Sequence, residues 1–290
     1  AANEADQGAM VWVHDYNLWL VPGYLRQIRP DLRISFFHHT PFPASDLFNV
    51  LPWRSEIIES LLACDIVGFH IPRYAVNFVS VVRSLFDVDI VEREKVSVDF
   101  SPEGMALSAF PVGVDTEFIK ARAAESEIET KVAQIREDLG DIRLLIAVSR
   151  TDYTKGNIEL LEAFERLLER QPDLVGKIQL MHVSVSANAK MSAYVEIQNE
   201  IEQLAGHING RFGSLEWQPV ALISTAIPFN SLVAYYRAAD IAWVTPLADG
   251  LNLVAKEFVA SRIDGDGVHV DVKGSPELIP WASFARSTEA

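Results

Sequence analysis

Apolar residues along the chain fall into short blocks whose spacing alternates between that of a strand and that of a helix. Blocks rich in β-branched and aromatic residues predict strands, and apolar residues at three- and four-residue intervals predict helices. The predicted strands are residues 11–14, 33–38, 65–69, 144–149, 177–185, 220–224 and 241–245. The predicted helices are residues 18–29, 57–64, 73–86, 124–138, 158–170, 193–204 and 230–239. This alternation predicts an α/β fold with parallel, doubly wound sheets.

The pattern starts afresh after residue 115, which indicates two α/β units. We place a first domain at residues 1–115, a second at 116–267, and a tail at 268–290. The length of 290 residues suits two domains of ordinary size.

Polar residues follow three successive predicted strands of the first domain. They are His14 with Asp15, His38 with His39, and His70. In parallel sheets, ligands bind beyond the carboxyl ends of the strands. We therefore expect functional side chains here, although a histidine in such a position is often a satisfied core residue.

Residues 150–156 connect a predicted strand to a predicted helix and carry Arg150 and Lys155. Two cations at a helix N-terminus suit a diphosphate, because the free amides of that end are partly positive. The alternative interpretation is a pair of solvated loop charges.

Residues 245–257 also follow a strand. Gly250 allows close backbone approach to a ligand, and the amides from Leu251 onward would face an anion or sugar hydroxyls. Glu257 lies about two turns further on, where its carboxylate could hold a ribose through two hydroxyls. The alternative is a turn followed by a surface helix residue.

Charge and composition remove several classes of function. The net charge of −15 argues against nucleic acid and anionic membranes as partners. No run of 18 apolar residues predicts a membrane span. Cys64 is the single cysteine, which is consistent with a cytoplasmic protein. We expect no metal site, because the histidines lack a second ligand set at metal spacing. Nucleophile-elbow, P-loop and dinucleotide-binding motifs are also missing from the sequence.

Seven short motifs together resemble glycosyltransferase family 20. They are VWVHDY at 11–16, HTPFP at 39–43, LPWR at 51–54, GFH at 68–70, DYTKG at 152–156, INGR at 208–211 and DGLNLVAKE at 249–257. The resemblance extends from about residue 11 to about residue 267.

The resemblance implies a GT-B fold, in which two Rossmann-like domains face each other with the active site between them. It implies that Arg150 and Lys155 hold the donor diphosphate, that Glu257 holds the ribose, and that Asp15 faces the acceptor. His39 and Asp249 would contact the donor glucose, near the amides of Gly250, Leu251, Asn252, Leu253 and Val254. We therefore expect Asp15, His39, Arg150, Lys155 and Asp249 to be catalytic.

By the same resemblance the enzyme is retaining, uses no metal or other cofactor, and lets the leaving phosphate help to deprotonate the acceptor. The protein would then act mainly by positioning and by neutralising phosphate charge.

The acceptor predicted for this chain is glycerol 3-phosphate, with ADP-glucose as donor. Residues 225–229 and 235–240 resemble the branch of the family that makes glucosylglycerol phosphate. The branch that makes trehalose 6-phosphate from UDP- or ADP-glucose and glucose 6-phosphate carries an Arg for the acceptor phosphate, and that position falls at about Asn188 here. Trehalose 6-phosphate synthesis is therefore the alternative.

Two departures from the family pattern affect the interpretation. The Gly-rich donor loop that precedes the 11–16 motif in the family is not in this sequence, so we expect an incomplete first domain, and residues 268–290 do not align. The chain is interpreted as a fragment with weak or no turnover of its own. A non-catalytic subunit that only binds nucleotide sugar stays an alternative, and self-association into a homo-oligomer stays open.

Overall fold

The computed structural model describes residues 2–87, 90–93, 99–102, 104–186, 192–265 and 267–271. The chain forms two compact units, Ala1–Val112 and Gly113–Ala290. The division falls three residues before the boundary that we placed from sequence.

The first unit is a mixed sheet with helices. Its elements are β1 (Met10–His14), α1 (Val21–Ile28), β2 (Arg33–His38), α2 (Ser45–Phe48), α3 (Arg54–Leu62), β3 (Ile66–Phe69), α4 (Pro72–Leu85), β4 (Ile90–Arg93), β5 (Asp99–Pro102) and β6 (Ala106–Ala109). The strand order is β1-β2-β3-β6-β5-β4. Strands β1, β2 and β3 run parallel as predicted, whereas β6, which is parallel to β3, and the antiparallel strands β5 and β4 were not predicted from the sequence pattern.

The second unit is a parallel sheet covered on both faces. Its elements are α5 (Thr116–Ala123), α6 (Ser126–Leu139), β7 (Arg143–Thr151), α7 (Asn157–Arg170), β8 (Ile178–Ser186), α8 (Ser192–Phe212), β9 (Val220–Ile223), α9 (Phe229–Ala238), β10 (Ile241–Val244), α10 (Leu253–Ser261) and β11 (Val268–Asp271). The order β11-β10-β7-β8-β9 is parallel throughout. Residues 268–271 therefore belong to the sheet and not to a separate tail, which corrects our assignment of them; residues 272–290 lie outside the described residues.

Alternation along β7 explains why this sheet is covered twice. Leu145 and Ala147 point into a core with α7 and α8, which includes Phe164 and Ile201. The intervening residues of β7 face a second core with α9 and α10, which includes Tyr236 and Phe258. Successive side chains of a strand point to opposite faces, so both faces must be apolar and both must be covered by helices.

In both sheets, the same arrangement of hydrogen bonds joins two neighbouring strands at their amino ends. Asp65, just before β3, donates its amide to the Ile34 carbonyl at 2.8 Å and accepts the Ile34 amide on its carboxylate at 2.6 Å. Asp240, just before β10, does the same with Leu144 at 2.9 and 2.7 Å. Each carboxylate also pairs with an arginine of a covering helix.

These arginines are Arg26, 2.8 Å from Asp65, and Arg136, 2.9 Å from Asp240. Burial opposes ionisation of Asp65, but the Ile34 amide and Arg26 together hold its pKa below the ordinary value. Each pair thus links a helix to two neighbouring strands.

Candidate functional site

The loop after β7 carries the predicted cations. The side chain of Arg150 is exposed near the end of the strand, and no ion pair of its guanidinium occurs within the described part of the chain. Asp152 accepts hydrogen bonds from the amide and hydroxyl of Thr154, both at 2.9 Å, which closes the turn Tyr153–Lys155. Gly156 then takes the left-handed conformation (φ 65°) from which α7 starts. The loop therefore places a cation at the carboxyl end of the central strand.

A second loop, after β10, is bonded directly to the first. The amides of Leu247 and Ala248 donate to the Thr154 carbonyl at 2.8 and 3.1 Å, and the Thr245 hydroxyl donates to the Gly156 carbonyl at 3.2 Å. A Cβ atom on Gly156 would lie only 2.1 Å from the Thr245 carbonyl oxygen. Glycine is therefore required here both by backbone conformation and by the close approach of the two loops.

Lys155 and Asp249 form an ion pair across these loops. Lys155 Nζ lies 2.8 Å from Asp249 Oδ2, and their side chains are only 15% and 12% exposed. Asn252 Nδ2 donates to the same Asp249 oxygen at 3.3 Å, while Asn252 Oδ1 caps α10 by accepting from the Ala255 amide at 2.9 Å. The pair is thus fixed against the start of a helix, whose first amides have no partner within the helix.

Glu257 lies on α10 beside a buried tyrosine that the sequence analysis did not single out. The Tyr236 hydroxyl donates to Glu257 Oε2 at 3.4 Å, and Tyr236 is fully buried. Partial burial raises the pKa of Glu257, and the bond from Tyr236 partly offsets this. Burial and the neighbouring Glu257 raise the pKa of Tyr236 well above its ordinary value. Tyr236 lies in the apolar period of α9, so from sequence it is indistinguishable from a core residue.

A small cavity of about 20 Å³ lies beneath the two loops, with room for about one water molecule. Its polar lining comes from Ser149, Lys155, Asn157, Thr245 and Asn252. The buried Asn157 and the neighbouring His182 are also functional candidates that the sequence analysis missed. An Asn after a helix-starting Gly is a signal for Asn157, whereas His182 lies in an apolar strand and offers none.

In the first unit, the three predicted strand ends lie side by side because β1, β2 and β3 are neighbours. Asp15 Oδ1 accepts from the His39 amide at 3.2 Å and from the Thr40 hydroxyl at 3.4 Å. His14 Nδ1 and His39 Nε2 are 3.0 Å apart, which is within hydrogen-bond distance. The structure thus brings together Asp15 and His39, the two predicted site residues of this unit.

Ring packing determines the shape of this cluster. His39 packs against Phe37 and His70, with centroid distances of 4.8 and 5.4 Å. A Cβ atom on Gly68 would lie 2.8 Å from the Phe37 ring and 3.0 Å from the Phe110 ring. Gly68 therefore makes space for the Phe110 ring and for the Phe37 ring, which packs on His39.

The two adjacent histidines have different environments. His38 is 1% exposed, its Nδ1 lies 2.8 Å from the Thr40 carbonyl, and its ring packs on Trp19 and Phe42. His39 is more open, and desolvation lowers its pKa against the opposing effect of Asp15. His38 is thus a core residue, whereas His39, whose Nε2 faces His14, keeps its Nδ1 for a ligand.

Asp15 has a strained backbone, with φ 63° and ψ 170°. Apart from glycines, it is the one residue with positive φ in the part of the chain that the structure describes. This region of conformational space is essentially restricted to glycine and costs about 1–3 kcal/mol, and such strain clusters at functional sites.

The described residues offer neither a metal-binding cluster nor a membrane-spanning helix. They contain no group of three or more His, Cys, Asp or Glu side chains placed to bind a metal ion. Nor do they include a helix of the length and apolarity that crossing a membrane requires. The position that we align with an acceptor-binding Arg, Asn188, lies outside the described residues.

Comparison with known proteins identifies the family. The family model of glycosyltransferase family 20 matches residues 1–271. A glucosylglycerol-phosphate synthase of Synechocystis sp. is 50% identical over 286 residues, which cover 92% of this chain and 57% of that protein. A trehalose-6-phosphate synthase of Mycobacterium sp. is 41% identical over 278 residues, which cover 93% of this chain and 57% of that protein.

Solved structures agree with this result. The crystal structure of a UDP-forming α,α-trehalose-phosphate synthase from Burkholderia xenovorans, in complex with glucose-6-phosphate, matches with a TM-score of 0.87 at 30% identity. The match covers 97% of this chain and 65% of that one, so the chain spans less than two thirds of each of these three proteins. The predicted α/β fold class, of GT-B type, is confirmed. The chain belongs to glycosyltransferase family 20.

Proposed function

We propose that the chain supplies the donor-binding part of a retaining glucosyltransferase that transfers glucose from ADP-glucose to glycerol 3-phosphate. The observation that carries the proposal is the pair of bonded loops at the carboxyl ends of β7 and β10, with Arg150 exposed near the end of β7 and the Lys155–Asp249 ion pair across the loops. Ligands bind at this end of parallel sheets.

In the proposed complex, Arg150 and Lys155 bind the diphosphate. A lysine ammonium has three donors, so the bond to Asp249 leaves two for phosphate oxygens while it fixes the direction of Nζ. Arg150 adds a planar fork that matches a phosphate edge. Local cations can bind an anion here although the net charge of the whole chain is −15.

The other groups proposed to bind the sugar nucleotide lie at or near the start of α10. Asp249 and the amides from Gly250 to Val254 would bind glucose hydroxyls, and Glu257 would bind the ribose. The buried bond from Tyr236 holds one Glu257 oxygen, which leaves the other for a hydroxyl. In the first unit, His39 would contact the glucose and Asp15 the acceptor.

The proposed chemistry needs no metal ion. Arg150 and Lys155 would neutralise the charge that develops on the leaving phosphate, and that phosphate would accept the proton of the acceptor hydroxyl on the same face. Turnover should therefore persist in excess EDTA. We place the reaction in the cytoplasm, consistent with the single buried thiol of Cys64.

The choice of glycerol 3-phosphate is supported by the relatives, because identity is 50% to the glucosylglycerol-phosphate synthase and 41% to the trehalose-6-phosphate synthase. The second candidate is trehalose 6-phosphate synthesis. It is favoured by the structural match to an enzyme that was crystallised with glucose-6-phosphate.

Calorimetric titration with ADP-glucose, UDP-glucose and ADP tests the donor assignment, and turnover with each acceptor tests the rest. We expect ADP-glucose to bind, and Arg150→Ala with Lys155→Ala to weaken it about 100-fold or more. Arg170→Ala with Lys177→Ala is the matched control, since it removes the same two residue types from exposed positions at the end of α7 and in the segment that follows it. Equal affinity of both double variants would refute the donor assignment. Binding of ADP-glucose without turnover on either acceptor would support an intact donor site on a chain that does not turn over by itself.

A further inference from the structure

Asn157 is the first residue of α7 and is buried beneath the 150–156 loop, with 4% of its surface exposed. Its Oδ1 accepts from the Ser149 hydroxyl at 2.6 Å and lies 2.9 Å from His182 Nε2. Its Nδ2 donates to the carbonyl oxygen of Arg150 at 3.1 Å. One side chain therefore joins two neighbouring strands to the backbone of the exposed arginine.

The bonding pattern fixes the chemical state of each partner. A carbonyl only accepts hydrogen bonds, so the amide NH₂ of Asn157 must face Arg150 and its oxygen must face His182. His182 must then carry its proton on Nε2. The ring is fully buried, and its Nδ1 has no hydrogen-bond partner among the described residues. A second proton on Nδ1 would place an unpaired charge in the core, and burial accordingly lowers the pKa of His182 to about 4.

The bond from Asn157 holds the carbonyl of Arg150. This carbonyl is attached to the same Cα atom as the Arg150 side chain. A rotation of its peptide would be carried outward along the side chain to the guanidinium, and even a small misplacement of a charged group weakens its contribution strongly. Asn157 cannot contact a ligand at the surface, because it is buried under the loop. Any effect of Asn157 on a ligand must therefore act through the loop.

We propose that Asn157, held by Ser149 and His182, is a positioning residue that sets the direction of Arg150 toward the donor diphosphate. The inference rests on the proposed donor role of Arg150, and it adds a requirement for a buried residue behind the binding surface. Ser149 and His182 act as supports that keep the Asn157 amide in one orientation.

A double-mutant cycle on the full chain tests this, with ADP as the probe and calorimetry as the readout. Arg150→Ala should weaken ADP binding at least about 10-fold, and Asn157→Ala about 5-fold. The double variant should bind within about twofold of Arg150→Ala alone, because without the guanidinium nothing is left to position. Asn199→Ala, which removes an exposed Asn of α8, is the control and should leave the affinity unchanged.

The outcomes separate this inference from the function on which it rests. Additive effects of Asn157→Ala and Arg150→Ala, or no effect of Asn157→Ala, would overturn the positioning role and leave the donor site intact. Absence of ADP binding by the unmodified chain, or no effect of Arg150→Ala, would overturn the proposed function and this inference with it.

Two further measurements cover the case in which Asn157→Ala does not fold. Ser149→Ala removes one support only, and it should weaken ADP binding about twofold, an effect that disappears in the Arg150→Ala background. Nitrogen NMR of the unmodified chain at neutral pH should show the His182 proton on Nε2. A proton on Nδ1 would contradict the network and overturn the inference.

Discussion

The two units are alike at the amino ends of their strands and different at the carboxyl ends. Asp65 and Asp240 make the same pair of backbone bonds to a neighbouring strand and the same ion pair to a covering helix. At the other end, the second unit has two loops joined by backbone bonds and an ion pair, whereas the first unit has packed histidine and phenylalanine rings.

The two sheets therefore share an arrangement at the amino ends of their strands and differ at the carboxyl ends. Where the strands start, both units use the same backbone-bonded Asp with a paired Arg. The candidate site residues lie where the strands end, and there the units differ: the second has charges in close-fitting loops, and the first has a strained Asp15 beside packed rings. Variants at either end therefore test the shared arrangement and the differing ones separately.

The largest effect is expected at Gly156, where the two loops of the second unit meet. Gly156→Ala adds a Cβ that would lie 2.1 Å from the Thr245 carbonyl, at a positive φ, so we expect a loss of about 3–4 kcal/mol in the free energy of unfolding. Gly176→Ala is the matched control, because φ is also positive there and nothing lies within 4 Å; it should cost about 1 kcal/mol. Denaturant unfolding measures both. Equal costs would mean that the loops separate easily and are not a preformed site.

The second effect concerns pH and the buried His182. Its pKa is about 4 in the folded chain against about 6.5 when unfolded, so between these values the unfolded state binds more protons. The stabilisation is complete above pH 6.5 and is lost as the pH falls to 4, by about 3 kcal/mol in total. His182→Gln retains a donor toward Asn157 but cannot titrate.

The difference in unfolding free energy between wild type and His182→Gln should therefore change by about 3 kcal/mol across this range. Hydrogen exchange of β7 and β8 amides localises the effect to the second unit. A constant difference would show that His182 titrates normally.

Sequence patterning predicted the parts of this fold that depend on local periodicity. The strands that end at His14 and His38, and the strand predicted at 144–149 that lies within β7, were found because their apolar residues follow the pattern of a buried strand. The loops after them follow from the order of elements. Arg150 and Lys155 could also be predicted locally, because two cations in a loop between a strand and a helix N-terminus suit an anion.

The remaining features depend on contacts between residues far apart in the chain. The antiparallel strands β4 and β5, the addition of residues 268–271 to the second sheet, and the bond from Thr154 to Leu247 have no local signature. From sequence, His182 is indistinguishable from a core residue, because its partner Asn157 lies 25 residues earlier in the chain. The roles assigned to Arg150, Lys155, Asp249 and Glu257 stay predictions until ligand binding is measured.

A third effect, of about 2 kcal/mol, is expected from the strain at Asp15 in the first unit. Asp15→Gly should be more stable than Asp15→Ala by that amount, because only glycine adopts this conformation without cost. Both variants lose the bonds to the His39 amide and Thr40, so both should lose turnover alike. Denaturant unfolding of the two variants measures the difference in stability, and an assay with glycerol 3-phosphate measures their turnover relative to the unmodified chain. Equal stability of the variants would show that the backbone relaxes once the carboxylate is gone.

The smallest effect is expected at Asp65 and Asp240, the residues that make the amino ends of the two sheets alike. Asp65→Ala and Asp240→Ala should each cost about 1–2 kcal/mol, because each leaves a strand amide without its acceptor. Asp65→Asn and Asp240→Asn keep an oxygen for that amide and lose only the ion pair, which is partly exposed in both units, so they should cost about half as much. Hydrogen exchange at Ile34 and Leu144 reads out the two sites separately. If the Asn variants lost as much stability as the Ala variants, the arginine and not the strand amide would be the main partner of each carboxylate. If only one unit lost stability, the two amino ends would share a geometry but not its contribution to stability.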